Sequence, residues 1–285
     1  MNDNTEITVN SRLLGIKDVH VHVEDWGGDG RPIVLIHGWP LSGKSWQEQI
    51  QPLRRAGYRV ITYDRRGFGE SDKPSSGYDY DTLADDVAGL IEQLGLEDVT
   101  LVGFSMGGGE VARYVSKHGQ DRLHSVVFAA AIPPFMMRLD DNPDGPLTQD
   151  MAKGMSDSLK ADAPSFYEQF VTQFFSANAD GNLLVTTEQL QAALAICAQA
   201  DTNAALEAMT SFGTTDFRED LTKITVPTLV IHGDADGIVP FEGSGKRTHE
   251  AIAGSQLVLI PGAPHGFNVS HAKQFNEALI AFLGK

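Results

Sequence analysis

The sequence is poor in cysteine, in basic residues and in long apolar runs. A single cysteine, Cys197, stands among 285 residues, which excludes an internal disulfide. Lys and Arg number 22 against 38 Asp and Glu, for a net charge of −16. Because no basic stripe can attract phosphates, we expect neither a nucleic-acid partner nor an anionic membrane. No apolar run approaches a membrane span and residues 1–6 are polar, so we expect a cytoplasmic protein.

The chain alternates short apolar runs with amphipathic segments. The apolar runs lie at 33–36, 59–64, 99–104, 125–130, 228–231 and 256–260, and the segments with helical spacing include 42–55, 80–94 and 273–283. An alternating segment at 20–25 is predicted to be an antiparallel edge strand. Strands that alternate with helices predict an α/β protein with a mostly parallel, doubly wound sheet. The length and a hydrophobic content of 41% fit one large core with an insertion.

The insertion is predicted in the middle of the chain. Over residues 134–220 no apolar strand is evident, and Phe166, Phe170 and Phe174 recur at helical spacing. We therefore predict a core formed by 1–133 and 221–285, with 134–220 as a helical cap insertion over the strand ends. Cys197 lies in this insertion among Ala and Leu residues, where a buried structural thiol is expected.

The most informative motif is Gly103-Phe104-Ser105-Met106-Gly107. It follows one of the apolar runs and precedes a segment with helical periodicity. A G-x-S-x-G motif between a strand and a helix is the nucleophile elbow, in which small residues on both sides of the serine permit a sharp turn. The context therefore predicts that Ser105 is a catalytic nucleophile.

A serine nucleophile needs an imidazole base and an acid that orients the imidazole. His265 lies directly after the last predicted strand, in a loop that would project it toward the elbow. Two aspartates, Asp234 and Asp236, follow the preceding strand. The Gly-x-x-Asp spacing before an apolar residue and a proline favours Asp236 as the acid. Asp234 is the alternative, and its expected role is to stabilise the turn.

An acyl-transfer site also needs backbone donors for the developing oxyanion. The N–H of Met106, at the start of the elbow helix, is one candidate because the helix dipole adds positive potential there. The N–H of Trp39 is the second, since it lies in the turn after the first apolar run and the following Pro40 has no N–H. An apolar acyl pocket is predicted from Phe104, Phe135, Trp39 and Met106. Packing of Phe104 in the core is the alternative.

Several other residues and motifs are of types found in functional sites, but we expect no catalytic or ligand-binding role for them. His20 and His22 project from one face of the edge strand, but no third ligand has a supportive spacing, so we expect solvated side chains and no metal site. His37 is expected to pack against the oxyanion turn, and His271 falls at a helix start. A partial dinucleotide fingerprint at 107–112 lies inside the elbow helix, and no acid for a ribose follows the next strand.

Together these segments resemble the α/β-hydrolase superfamily, and within it the cofactor-free haloperoxidase, perhydrolase and arylesterase group. The resemblance is carried by the stretches 37–41, 63–72, 103–114 and 263–267. The Gly-Gly-Gly-Glu-Val-Ala-Arg-Tyr sequence after Met106 is far more specific than the elbow itself. The resemblance implies an α/β-hydrolase fold with a mostly parallel, doubly wound, eight-stranded sheet and a helical cap. The residues that it implies are Ser105, Asp236 and His265 as the triad, with Trp39 and Met106 as oxyanion donors.

That group is implied to hydrolyse small carboxylic esters, and many members form peracids from a carboxylic acid and hydrogen peroxide. The expected partners are a small ester, or a carboxylic acid with peroxide, and no metal, haem or other cofactor is implied. Pro40 is predicted to reposition the Trp39 carbonyl toward the site and to favour perhydrolysis. A homo-oligomer is one alternative for the assembly. Two other functions stay open, a lactonase or γ-lactamase with the same triad and a non-catalytic binding protein on the same fold.

Overall fold

An eight-stranded sheet forms the centre of the computed structural model, which describes residues 9–284. The strands are β1 (Asn10–Ile16), β2 (Val19–Asp25), β3 (Pro32–Ile36), β4 (Arg59–Tyr63), β5 (Val99–Phe104), β6 (Leu123–Ala129), β7 (Thr228–Gly233) and β8 (Gln256–Ile260). Their order is β1-β2-β4-β3-β5-β6-β7-β8. β3 to β8 are parallel, whereas β1 and β2 are antiparallel to their neighbours. The predicted mostly parallel, doubly wound sheet is confirmed.

The strand order reverses between β3 and β5, which lie side by side in the middle of the sheet. Both strands are buried, and Val34 and Leu101 have no exposed surface. Burial on both faces explains why these strands are almost wholly apolar. In open α/β sheets, ligands bind beyond the carboxyl ends of the strands at such a reversal. This crevice lies between the turn after β3 and the turn after β5.

The prediction of an edge strand at 20–25 is wrong. This segment is part of β2, which pairs with β1 on one side and with β4 on the other. The edge strand in the described residues on this side is β1, whose residues are mostly exposed. An exposed strand need not show a continuous apolar run, so β1 left little signal in the sequence.

Helices cover both faces of the sheet. They are α1 (Gln47–Arg55), α2 (Tyr80–Gln93), α3 (Gly107–His118), α4 (Gln149–Ala161), α5 (Ala163–Phe174), α6 (Thr187–Cys197), α7 (Thr202–Thr214), α8 (Arg218–Thr222), α9 (Gly245–Ala251), α10 (Phe267–Ser270) and α11 (Ala272–Leu283). Short 3₁₀ helices span Gly43–Trp46, Ala177–Ala179 and Phe241–Gly243. α1 packs against α11, and α3 packs against α2 and α8.

Four helices, α4 to α7, lie between β6 and β7 in the segment predicted as an insertion. Each begins at a side-chain cap, which satisfies a backbone N–H that the helix itself cannot use. The capping side chains are Thr148, Asp162, Thr186 and Asp201. Cys197 ends α6 and is fully buried, as expected, and burial raises the pKa of its thiol to about 12. The boundaries 134–220 stay a prediction.

Within residues 9–284, no helix combines the length and the apolar character needed to cross a membrane. The same residues contain no group of three or more His, Cys, Asp or Glu side chains arranged to hold a metal ion.

Candidate active site

Ser105 lies in the turn between β5 and α3, at the carboxyl edge of the sheet. Its φ of 55° is in the left-handed region, which a non-glycine residue seldom adopts. The flanking glycines make the turn sterically feasible. A Cβ on Gly103 would lie 2.5 Å from the Gly107 carbonyl oxygen, and a Cβ on Gly107 would lie 2.6 Å from the Ile36 carbonyl oxygen. The predicted strand-turn-helix context of the serine is therefore present, and its small residues have a steric cause.

Ser105, His265 and Asp236 form one continuous hydrogen-bonded chain. The Ser105 Oγ lies 2.9 Å from His265 Nε2, and His265 Nδ1 lies 2.7 Å from Asp236 Oδ2. These distances fit a hydroxyl that donates to Nε2 and an Nδ1–H that donates to the carboxylate. All three residues are buried: the exposed fraction is 7% for Ser105, 1% for His265 and 6% for Asp236. The arrangement can move a proton from the alcohol to the imidazole.

Backbone and side-chain donors hold the Asp236 carboxylate in place. Its Oδ1 accepts hydrogen bonds from the N–H groups of Ile238 and Val239, at 2.9 and 2.8 Å. Burial opposes ionisation, but the attraction of His265 and hydrogen bonds from His232 and His265 hold the pKa of Asp236 well below its usual range. The carboxylate is thus ionised and aimed at His265.

His232 was not identified from the sequence. It is fully buried, and its Nε2 lies 2.8 Å from the Val239 carbonyl oxygen and 3.3 Å from Asp236 Oδ2. The ring therefore links the end of β7 to the loop that carries the aspartate. The sequence feature that could have indicated a role for His232 is its position at the end of an apolar strand, two residues before Asp234.

Asp234 is in a different position from Asp236. Its Oδ1 accepts a hydrogen bond from the Gly262 N–H at 2.6 Å, across two adjacent loops, and the residue is exposed. It has the turn-stabilising contact expected for it. Among the two candidate acids, Asp236 is the one bonded to His265.

The turn after β3, residues 37–40, packs directly against Ser105. A Cβ on Gly38 would lie 3.1 Å from the Ser105 Cβ. The Trp39–Pro40 peptide bond is cis, and the Trp39 indole N–H donates to the Ala205 carbonyl oxygen in α7 at 2.9 Å. Within residues 9–284, the backbone N–H groups of Trp39 and Met106 donate no hydrogen bond to the backbone of a turn or loop. Trp39 lies in the turn that packs against Ser105, and Met106 directly follows Ser105 in the chain.

A buried polar network holds the turn at residues 37–40 in place. Arg65 donates to the His37 carbonyl oxygen at 2.6 Å and forms an ion pair with Glu110 of α3. Glu110 also accepts a hydrogen bond from the Tyr63 hydroxyl at 2.6 Å. The His37 ring accepts from the Arg65 N–H at 2.9 Å and bonds the Gly38 carbonyl oxygen at 2.8 Å. The network joins the turn after β3 to the helix after β5.

His37 has the structural role predicted for it. Burial, with the nearby Arg65 charge, lowers the pKa of His37 to about 3, so the ring is neutral. Arg65 and Glu110 lie in the stretches 63–72 and 103–114 that carry the resemblance, but their pairing is not visible from the sequence. It depends on β4 and α3 meeting beneath the site.

An inner cavity of about 60 Å³ opens beside the serine. Its lining is almost entirely apolar and consists of Trp39, Ser105, Ile132, Met136, Leu147, Met155, Phe170, Phe212, Ile238, Val239 and His265. An outer cavity of about 400 Å³ shares Met136, Leu147, Met155, Phe170 and Ile238 with it. The two cavities are therefore adjacent, and Met155 of α4 and Phe170 of α5 line both of them.

Neither Phe104 nor Phe135 lines these two cavities, so the structure corrects their predicted role as substrate-binding residues. Phe104 is fully buried and packs its ring 5.2 Å from the His265 ring. Phe135 is also buried, and the Arg218 guanidinium lies over its ring at 5.5 Å. Phe104 follows the stated alternative of core packing. Of the other two residues predicted for the pocket, Trp39 lines the inner cavity and Met106 lines neither. Most of the remaining lining comes from the loops after β6 and β7 and from α4, α5 and α7, which local spacing could not reveal.

Of the two histidines in β2, His20 is exposed as predicted and His22 is not. His20 is exposed and pairs with Asp72 at 3.0 Å. His22 is buried, contrary to the prediction, with Nδ1 3.3 Å from Asp64 and Nε2 2.8 Å from the Ser11 hydroxyl. Its hydrogen bond with Asp64 raises the pKa of His22 against the effect of burial. The misassignment of β2 as an edge strand caused this error.

Comparison with known proteins agrees with the fold. Residues 31–272 match the model of the alpha/beta hydrolase fold family, so the chain belongs to the α/β-hydrolase family. Among curated relatives, a non-heme chloroperoxidase of Kitasatospora aureofaciens is 43% identical over 270 residues, which cover 94% of this chain and 97% of that protein. A bifunctional esterase/perhydrolase of Acinetobacter calcoaceticus is 36% identical and covers 93% of this chain and 96% of that protein.

A solved structure gives the same grouping. The crystal structure of bromoperoxidase from Bacillus anthracis is 49% identical, with a TM-score of 0.93, over 96% of this chain and all of that chain. Within the α/β hydrolases, this chain therefore falls with the non-heme haloperoxidases and esterase/perhydrolases. The resemblance predicted from the motifs is confirmed.

Proposed function

We propose that the protein hydrolyses small carboxylic esters through an acyl-enzyme on Ser105. The observation that carries the proposal is the buried chain from the Ser105 hydroxyl through His265 to Asp236. His265 Nε2 removes the hydroxyl proton as the oxygen attacks the ester carbonyl, and Asp236 stabilises the imidazolium that forms. The imidazolium then protonates the departing alcohol. Water, deprotonated by the same imidazole, releases the carboxylic acid and regenerates the serine.

The N–H groups of Trp39 and Met106 are the proposed oxyanion donors. The tetrahedral intermediate places negative charge on the former carbonyl oxygen, and preorganised N–H donors stabilise that charge at little reorganisation cost. Support comes from the two turns against Ser105 and from the network of Arg65 and Glu110 that joins them. Met106 adds the positive end of α3.

The same acyl-serine is proposed to react with hydrogen peroxide, giving a peracid. Peroxide replaces water as the acceptor, and no other step changes. The names of the relatives as chloroperoxidase and esterase/perhydrolase support this second acceptor, and a peracid can oxidise halide in solution. The chain's own residues for this reaction are the triad and the oxyanion donors.

The inner cavity sets the proposed substrate class. A volume of about 60 Å³ with an apolar lining suits a short acyl group, whereas the outer cavity of about 400 Å³ can take a larger leaving group. Residues 134–220 are proposed to act as the cap, because side chains from their helices and from the loop before α4 line both cavities.

The test uses a series of p-nitrophenyl esters of increasing acyl length, each with and without peroxide. We expect kcat/KM to fall from acetate to octanoate. Asp236→Asn should lower kcat by about 10⁴-fold, because the imidazole loses its orienting carboxylate. Asp234→Asn is the matched control and should keep its activity, since an amide oxygen can still accept from Gly262.

A fluorophosphonate should label the wild type stoichiometrically and leave Ser105→Ala unlabelled. Equal loss of activity in the two aspartate variants would refute the assignment of the acid. A folded wild type that neither hydrolyses an ester nor reacts with the label would instead favour a non-catalytic binding protein.

A further inference from the structure

Methionine is concentrated at the cavities that serve Ser105. Met136 and Met155 line the inner cavity beside Ser105 and His265. Both also line the outer cavity, together with Met151. The chain contains seven methionines, and the others in the described residues line neither cavity. Two thioethers therefore lie beside any product formed on Ser105.

The environments of these methionines differ. Met151 is 54% exposed, Met155 is partly buried and Met136 is only 5% exposed. In bulk solution an oxidant should reach Met151 first, because thioether oxidation follows exposure. An oxidant generated in the inner cavity meets Met136 and Met155 before it reaches solvent. The order of oxidation thus reports where the oxidant was formed.

We propose that Met136 and Met155 are sites of oxidative self-modification, at which the peracid formed on Ser105 converts the thioether to a sulfoxide. The inference rests on the proposed perhydrolase activity. The sulfur lone pair attacks the terminal peroxy oxygen, an S–O bond forms and the O–O bond breaks. The peracid is reduced to its carboxylic acid, which keeps the proton, and the sulfur is oxidised by two electrons.

The modification changes the pocket. A sulfoxide is polar, whereas the inner cavity is lined almost entirely by apolar side chains. The modified cavity should bind apolar acyl groups less well, so perhydrolysis would raise KM for esters as turnover proceeds. Methionine sulfoxide is reversible by methionine sulfoxide reductases, which gives a way to restore the original pocket.

The experiment incubates wild type and Ser105→Ala with acetate and hydrogen peroxide, and wild type with peroxide alone. Peracid is measured by halide-dependent chlorination, and peptide mass spectrometry measures the gain of about 16 Da per sulfoxide. We expect Met136 and Met155 to gain oxygen ahead of Met151, only in wild type with both reagents. Met155→Leu and Met136→Leu, each compared with its own starting KM, should show a smaller rise in KM during turnover.

The failures are distinguishable. Peracid formation without sulfoxide at Met136 and Met155, or with Met151 oxidised first, overturns this inference and leaves the proposed function intact. Equal oxidation in Ser105→Ala also overturns it, since the oxidant would then be bulk peroxide. Absence of peracid in the wild type, with ester hydrolysis intact, overturns the perhydrolase part of the proposed function and this inference with it.

Discussion

Ser105 holds a left-handed backbone conformation that costs a non-glycine residue about 1–3 kcal/mol. The surrounding backbone holds it there. Its N–H donates to the Ala129 carbonyl oxygen at 2.9 Å, and its carbonyl oxygen accepts from the Gly108 and Ile132 N–H groups at 3.1 and 3.2 Å. The hydroxyl is therefore positioned by β5, β6 and α3 together, before any substrate binds.

Gly107→Ala should lower both stability and activity. Its Cβ would lie 2.6 Å from the Ile36 carbonyl oxygen, and a backbone neighbour cannot move aside cheaply. We expect a loss of about 1–3 kcal/mol in the free energy of unfolding, measured with urea, and a lower kcat. Gly154→Ala, in α4 with open space around its Cβ position, should be neutral or stabilising by up to about 1 kcal/mol. Equal stabilities of the two variants would contradict the steric argument.

The sequence predicted Ser105 and His265, the proposed nucleophile and base, because each follows a strand in a short, distinctive loop. It narrowed the proposed acid to two aspartates, and the structure shows that Asp236 is the one bonded to His265. Of the cavity lining, the sequence predicted Trp39 but not Phe170 or Phe212, which come from helices whose packing over the sheet no local pattern specifies.

Two adjacent arginines after β4 pair with carboxylates on different helices. Arg65 pairs with Glu110 of α3 and also donates to the turn after β3, whereas Arg66 pairs with Asp86 of α2 at 2.6 Å. Both guanidinium groups are buried. Burial raises the pKa of Glu110 and of Asp86 against the opposing effect of their arginines. The two ion pairs are comparable in burial, but only the first touches the proposed oxyanion turn.

Glu110→Gln and Asp86→Asn should therefore separate stability from catalysis. Glu110→Gln leaves the buried Arg65 without a carboxylate and should cost about 3–5 kcal/mol of unfolding free energy. Asp86→Asn should cost somewhat less, because Arg66 keeps an ion pair with the exposed Asp18 at 3.4 Å. Only Glu110→Gln should also lower kcat of the folded enzyme, by about tenfold to a hundredfold, because the turn that holds Trp39 shifts. The measurement is kcat per labelled active site at a temperature where both variants are folded. A similar kcat for both would show that the network supports stability alone.

The sequence predicted the buried strands well and the exposed one poorly. The predicted runs at 33–36, 99–104 and 228–231 fall within β3, β5 and β7, which are largely apolar because helices cover both faces. β1 begins Asn-Ser-Arg and is mostly exposed, so no run marked it, and β2 was consequently assigned to the edge. The error then spread to His22, whose burial depends on β1 and on the loop that carries Asp64.

Neutral His37 should make the stability of the protein depend on pH. Its pKa is about 3 in the folded state, with Arg65 and Asp64 nearby, and about 6.5 when unfolded. Between these values the unfolded chain binds a proton that the folded protein excludes. The free energy of unfolding should therefore fall on acidification from about pH 6 to 4, by up to about 1.4 kcal/mol per pH unit from this group.

His37→Gln tests this dependence, because its amide oxygen can accept the Arg65 N–H but cannot titrate. Urea unfolding at a series of pH values should give a shallower slope for the variant than for the wild type. Working above pH 4 limits the contribution of carboxylates such as Asp236, whose depressed pKa removes stability only at lower pH. If the free energy of unfolding depends on pH equally in the variant and the wild type, His37 is not the group responsible for the dependence.

The Trp39 side chain and its backbone serve different parts of the molecule. The indole donates to Ala205 of α7 and packs against Phe170 and Phe212, while the peptide lies in the turn beside Ser105. Replacing α4 to α7 with the corresponding helices of a relative would therefore change the turn beside Ser105 as well as the substrate pocket. Chimeras should keep residues 39, 170, 205 and 212 as one block, since a foreign partner for the indole would disturb reaction rate along with substrate preference.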